Sequence, residues 1–110
     1  MSKTDDNLKA AFTGEAKAAF RLKAFAAKAE SEGYGPLAKL FRAVSEAESV
    51  HALRHIRHLK LVGSTEDNLK YAFEQETSVS GGHYPQFILD ANEEGNSAVA
   101  TSFSFTRDAE

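Results

Sequence analysis

Apolar side chains recur along this chain at helical spacing, and charged or polar residues interrupt each apolar stripe at one or two defined positions. In the first stretch Leu8, Glu15, Leu22 and Ala29 stand at heptad spacing, interleaved with Phe12 (or Ala11), Ala19 and Ala26. A second stripe runs Leu37, Phe41, Val44, Glu48, His51 and His55, then His58 or Leu59. A third runs Leu69, Phe73, Glu76, Val79 (or Ser80), His83 and Phe87. Periodicity of this kind predicts amphipathic helices, each with one face turned to a core. The punctuation sets their limits. Thr4–Asp6 cap a first helix that runs to about Glu32, where Gly33-Tyr34-Gly35 stops it. Pro36 suits the first turn of a second helix, which continues to about Val62 before Gly63. Ser64, Thr65 and Asp67 resemble a capping arrangement for a third helix. That helix is interrupted near Gly81, Gly82 and Pro85, then resumes to Glu94 and ends at Gly95. A fourth starts near Ser97 and is still running at Glu110. Helices of nearly thirty residues are roughly 40 Å long, and with short connections they favour an antiparallel bundle.

The two halves repeat one another. Residues 7–15 match residues 68–76 at six of nine positions, with an offset of 61. Further on the offset becomes 62: Phe25, Ala29, Glu32, Gly33, Ala38, Phe41, Ala47 and Glu48 match Phe87, Ala91, Glu94, Gly95, Ala100, Phe103, Ala109 and Glu110. The expected architecture is therefore all-α: one domain over residues 1–110, built from two duplicated helical hairpins at about 4–62 and 65–110. The extra residue falls between Glu76 and Phe87. Pro85 lacks an N–H and crowds the carbonyl of Gly81, so an insertion there fits a π-bulge. By the same repeat the fourth helix is cut short at Glu110, the equivalent of Glu48. Its completion comes from further chain or from a dimer partner.

The carboxylates on the apolar stripes carry the chemistry. A buried unpaired carboxylate is costly, and several facing one another require a cation. Divalent metal ions meet that need because carboxylates can share their charge. Glu48 and His51, three residues apart, share a helix face and can converge on one ion. One Glu from each of two helices plus Glu-x-x-His from two others is the donor pattern of two-metal helical bundles. Glu15 and Glu76 are equivalent in the repeat, as are Glu48 and Glu110. His55 and His58 form a looser group expected beyond the metal layer, and His83 is a candidate ligand or supporting group.

Composition narrows the field. The 110 residues carry a net charge of −3 with both signs interspersed, so no basic stripe points to nucleic acid. Cysteine is absent, which excludes disulfides and thiolate metal sites. The polar N-terminus and the lack of a long apolar run predict a cytoplasmic protein with no signal peptide and no membrane segment.

Several segments resemble the rubrerythrins. These are residues 7–18, Glu30-Ser31-Glu32-Gly33-Tyr34, residues 38–43, and Glu46 to Ala52 with Glu48 and His51. Glu76, Tyr84-Pro85, Phe87 and Glu93-Glu94-Gly95-Asn96 continue the resemblance, which covers essentially the whole chain. It implies a ferritin-like antiparallel four-helix bundle holding two iron ions, with manganese or zinc as the other candidates. The implied ligands are Glu15, Glu48, His51 and Glu76, with Glu110 opening a second Glu-x-x-His. The implied activity is reduction of hydrogen peroxide, in oxidative-stress defence, with electrons from a separate donor protein. Tyr84 is the candidate catalytic residue, donating a hydrogen bond near the oxidant. The alternatives are a ferroxidase that handles iron with O2, or a metal-deficient helical interaction module. A homodimer is expected, in one form helix-exchanged, so that two copies of the first hairpin present Glu15, Glu48 and His51 twice. The departures from the family pattern are Val79 and Gly82, where members carry Glu, and Leu22, often Tyr. His83 is the candidate to stand in for Val79.

Overall fold

The computed structural model describes residues 2–78 and 82–109, with side chains for all of these except 76–78. It is all-helical, as expected: α1 (Lys3–Ser31), α2 (Gly35–His58), α3 (Thr65–Ser78), α4 (Tyr84–Glu93) and α5 (Ser97–Ala109). The chain divides into two compact units, Met1–Val62 and Gly63–Glu110. The interrupted third helix of the sequence reading is two helices, α3 and α4. Residues 82–83 are wound as π-helix immediately before α4, whose first turn contains Pro85.

Local chemistry accounts for the helix ends. Ser2, rather than Thr4–Asp6, caps α1: its Oγ accepts the Asp5 N–H at 3.1 Å. Asp5 and Asp6 then fall in the first turn, where carboxylates complement the helix dipole. At the start of α3, Ser64 Oγ accepts the Asp67 N–H at 3.1 Å. Asn68 clasps Gly63 there, accepting its N–H at 2.9 Å and donating to its carbonyl at 3.1 Å. Three C-termini close in the same way. Tyr34 N–H reaches back to the Ala29 carbonyl while Gly33 N–H reaches that of Glu30, with Gly33 at φ +84°. Asn96, Ala91, Gly95 and Asn92 repeat this pairing, with Gly95 at φ +76°. This is the Schellman closure, which needs a left-handed residue just past the helix. The third instance explains why α2 stops at His58, short of the expected Val62: Lys60 takes φ 57°, with Leu61 and Lys60 bonding back to Ile56 and Arg57.

In the first unit α1 and α2 pack as an antiparallel hairpin on a seam of small residues. Ala19, Ala26, Ala29, Ala38, Ser45 and Ala52 are its buried positions. Ser45 Oγ donates to the Ala19 carbonyl across the seam at 2.7 Å. Phe41 packs on the Ala26–Ala29–Ala38 cluster and meets Phe25 edge-on at 5.8 Å. Alanine at these positions lets the backbones approach closely, toward the short end of helix–helix spacings. In the second unit α4 and α5 form the equivalent antiparallel pair. Ala91 and Ala100, the repeat partners of Ala29 and Ala38, are buried there too. Beside them Tyr84, Phe87 and Phe103 form an aromatic group with centroids 5.6–5.9 Å apart.

One face of the first hairpin, next to its seam, is apolar. Phe25 on α1 and Leu37, Leu40 and Val44 on α2 lie along it at 38–55% exposure. Helical spacing continues this α2 stripe through Glu48 and His51.

Candidate metal centre

Glu15 sits one turn before Ala19 on α1, and the seam sets it opposite the second half of α2. Glu48 follows Ser45 by three residues, and His51 follows Glu48 by three. Each therefore projects from its helix beside the alanine seam. The result is a cluster in which Glu15, Glu48 and His51 each offer one ligand atom, all within 4.8 Å of one another. All three are partly buried. His51 Nδ1 stands 3.3 Å from Glu15 Oε1. On the other side of the same carboxylate, His55 Nε2 contacts Glu15 Oε2. That contact is close but lacks hydrogen-bond geometry, so Glu15 Oε2 and His55 Nδ1 are both buried without a hydrogen bond among the described residues.

Two carboxylates and an imidazole converging beside an apolar seam form an incomplete arrangement on their own. A carboxylate oxygen shielded from water and lacking a donor carries a desolvation cost that a cation would remove. The donor set, oxygen and imidazole without thiolate, suits iron, manganese or zinc. The residues present thus fit a divalent metal ion.

The remaining residues singled out in the sequence fall elsewhere. The side chain of Glu76, in the last turn of α3, lies outside the described residues, as do Val79 and Glu110. Tyr84 begins α4 within the aromatic group of the second unit. His83 is exposed and stacks on Phe87 at 6.2 Å between centroids. His58, at the end of α2, is exposed. His55 is the residue whose place the stripe pattern underestimated. It lies outside the group of mutually close ligand atoms and touches Glu15 from there. The signal was its spacing of seven from Glu48, which returns it to the same side of the helix.

Among the described residues, no helix is long and apolar enough to cross a membrane.

A family model described as Rubrerythrin matches residues 6–110. Among curated proteins, the rubrerythrin of Porphyromonas gingivalis is 35% identical over 115 residues, covering 93% of this chain and 58% of that protein. Nigerythrin of Nitratidesulfovibrio vulgaris is 32% identical over 124 residues, covering all of this chain and 61% of its own length. Rubrerythrin-1 of Clostridium acetobutylicum is 30% identical, covering 93% of this chain and 61% of its own. The chain thus spans about three-fifths of the length of these relatives.

Proposed function

The chain belongs to the rubrerythrin family, and from that premise we propose that it is a ferritin-like di-iron protein that reduces hydrogen peroxide. The electrons come from a separate donor protein. The observation that carries this reading is the convergence of Glu15, Glu48 and His51, each offering one ligand atom, within 4.8 Å. In the proposal these three side chains hold metal from the first hairpin. Glu76 and Glu110, their partners by the repeat, supply the remaining carboxylates. When bound, a pair of iron ions supplies the two electrons that convert hydrogen peroxide and two protons into two waters.

The chain's own residues do the rest. Glu15 and Glu48 neutralise the ions, and His51 supplies a neutral nitrogen that adds no charge. The apolar seam beside them limits water, which strengthens each of these electrostatic contacts. Tyr84 is assigned as the hydroxyl that donates a hydrogen bond to the oxidant. A homodimer belongs to the same proposal. Phe25, Leu37, Leu40 and Val44 give the first hairpin an apolar face suited to packing against further helices. Its helix-exchanged form would present Glu15, Glu48 and His51 twice about a two-fold axis.

Metal analysis followed by anaerobic stopped-flow oxidation of the iron(II)-loaded protein tests the proposal. Peroxide should oxidise it much faster than O2. Faster oxidation by O2 would instead indicate an iron-handling ferroxidase, and purified protein that retains no metal would indicate a helical interaction module.

A further inference from the structure

We propose that His55 is a positioning residue for the Glu15 carboxylate, which it holds from behind so that the opposite oxygen is presented to the metal. This rests on the metal reading above and adds a residue to it.

The geometry divides the two oxygens of Glu15 between two imidazoles. His51 approaches Oε1, and His51 and Glu48 belong with Glu15 to the group of mutually close ligand residues. His55 contacts Oε2 and lies outside the group of mutually close ligand atoms. It therefore reaches the cluster through Glu15. Position 55 also belongs to the seam. Counting back along α2 by threes and fours gives Ala52, Glu48, Ser45, Phe41 and Ala38, and counting forward gives Leu59. A leucine or phenylalanine at 55 would satisfy that pattern and bury more apolar area. The imidazole is instead largely enclosed, its side chain 21% exposed against 42% for His51. Its second nitrogen, Nδ1, has no hydrogen bond among the described residues. A polar ring at this cost is explained by what its other nitrogen does.

The contact as it stands lacks hydrogen-bond geometry; with the proton on Nε2, a small turn of the ring lets it donate to Oε2, and the unpaired Nδ1 is then only an unused acceptor. A carboxylate fixed through one oxygen cannot swing freely about its last torsion. The free oxygen keeps one direction, toward Glu48 and His51. Hydrogen-bonding partners behind a metal ligand commonly alter affinity by about ten- to a hundredfold.

The test uses the full chain and cobalt(II) alone as the probe, read by ligand-field absorption, with X-ray absorption counting imidazole ligands. Three variants separate packing from positioning. H55L fills the seam without a donor. H55Q places an amide N–H near the position of Nε2. H55N is polar but too short to reach Oε2. Cobalt affinity should fall about tenfold or more in H55L and H55N, and H55Q should recover to within about threefold of wild type. The imidazole count should stay the same in wild type and H55L. Unchanged affinity in H55L overturns the inference, as does H55N binding as tightly as H55Q. A lost imidazole in H55L also overturns it, by making His55 a ligand. Wild-type protein that takes up no cobalt refutes the metal reading together with this one, whereas the other negative results refute this one alone.

Discussion

Replacing Glu15 with leucine separates the cost of the metal-free cluster from the benefit of the ion, because the two should move stability in opposite directions. In the metal-free protein, Glu15 holds a carboxylate against the seam with about a quarter of its side chain exposed and Oε2 buried without a hydrogen bond. Exchanging a buried charged group for an apolar side chain of similar volume gains about 1–4 kcal/mol where the group was poorly satisfied. Partial exposure screens the charge, and two imidazoles lose a contact, so the net gain should lie at the low end, about 1 kcal/mol. For a domain of this size that raises the melting temperature by about 4 °C. Metal acts the other way. At a free concentration one hundred times Kd, the ion stabilises wild type by about 2.7 kcal/mol, or about 10 °C on the same scale. E15L should lose most of that increment. Circular-dichroism melts in EDTA should therefore place E15L above wild type, and melts in saturating cobalt(II) should reverse the order. An E15L protein that melts below wild type in EDTA would show that the carboxylate is already satisfied. One that retains the full cobalt increment would show that Glu15 is no ligand.

Removing the Ser45 hydroxyl in S45A should cost about 1 kcal/mol in urea unfolding, since the Ala19 carbonyl keeps its own helical bond when the cross-seam donor is lost. G33A and G95A should cost similar amounts, about 1–2 kcal/mol each, from left-handed backbone alone, because a Cβ at either position meets open space. A much larger loss at one of them would reveal packing that the geometry does not contain. N68A removes both bonds to Gly63 and should fray the start of α3. Hydrogen exchange at the Gly63 amide should then quicken about fivefold, corresponding to about 1 kcal/mol.

The elements that could be read from the sequence were those with local causes. Gly33 and Gly95 mark helix ends because glycine tolerates the left-handed turn that closes a helix, and both ends lie where the repeat places them. The early end of α2 was hidden because Lys60 adopts the same backbone conformation without a glycine to announce it. Ser2 does not stand out as the cap in sequence because Thr4 and Asp5 are equally good capping residues. The choice falls to whichever side chain reaches a free N–H. At the site, helical spacing was enough to bring Glu48 and His51 together, and the apolar stripe put Glu15 opposite them. What spacing does not carry is rotation between the helices. That rotation, fixed by the alanine seam, decided that His55 rather than His58 meets Glu15.

The alanine seam also acts as a spacer gauge. Side chains at Ala19, Ser45 and Ala52 set how far α1 stands from α2 at the level of Glu15, Glu48 and His51. Because these residues are already about as small as side chains come, drift at the seam runs almost entirely toward greater thickness. Each added methylene there would prise Glu15 away from its partners on α2 before it unfolded anything. The bore of the candidate metal centre is therefore written in residues that lie outside its ligand cluster.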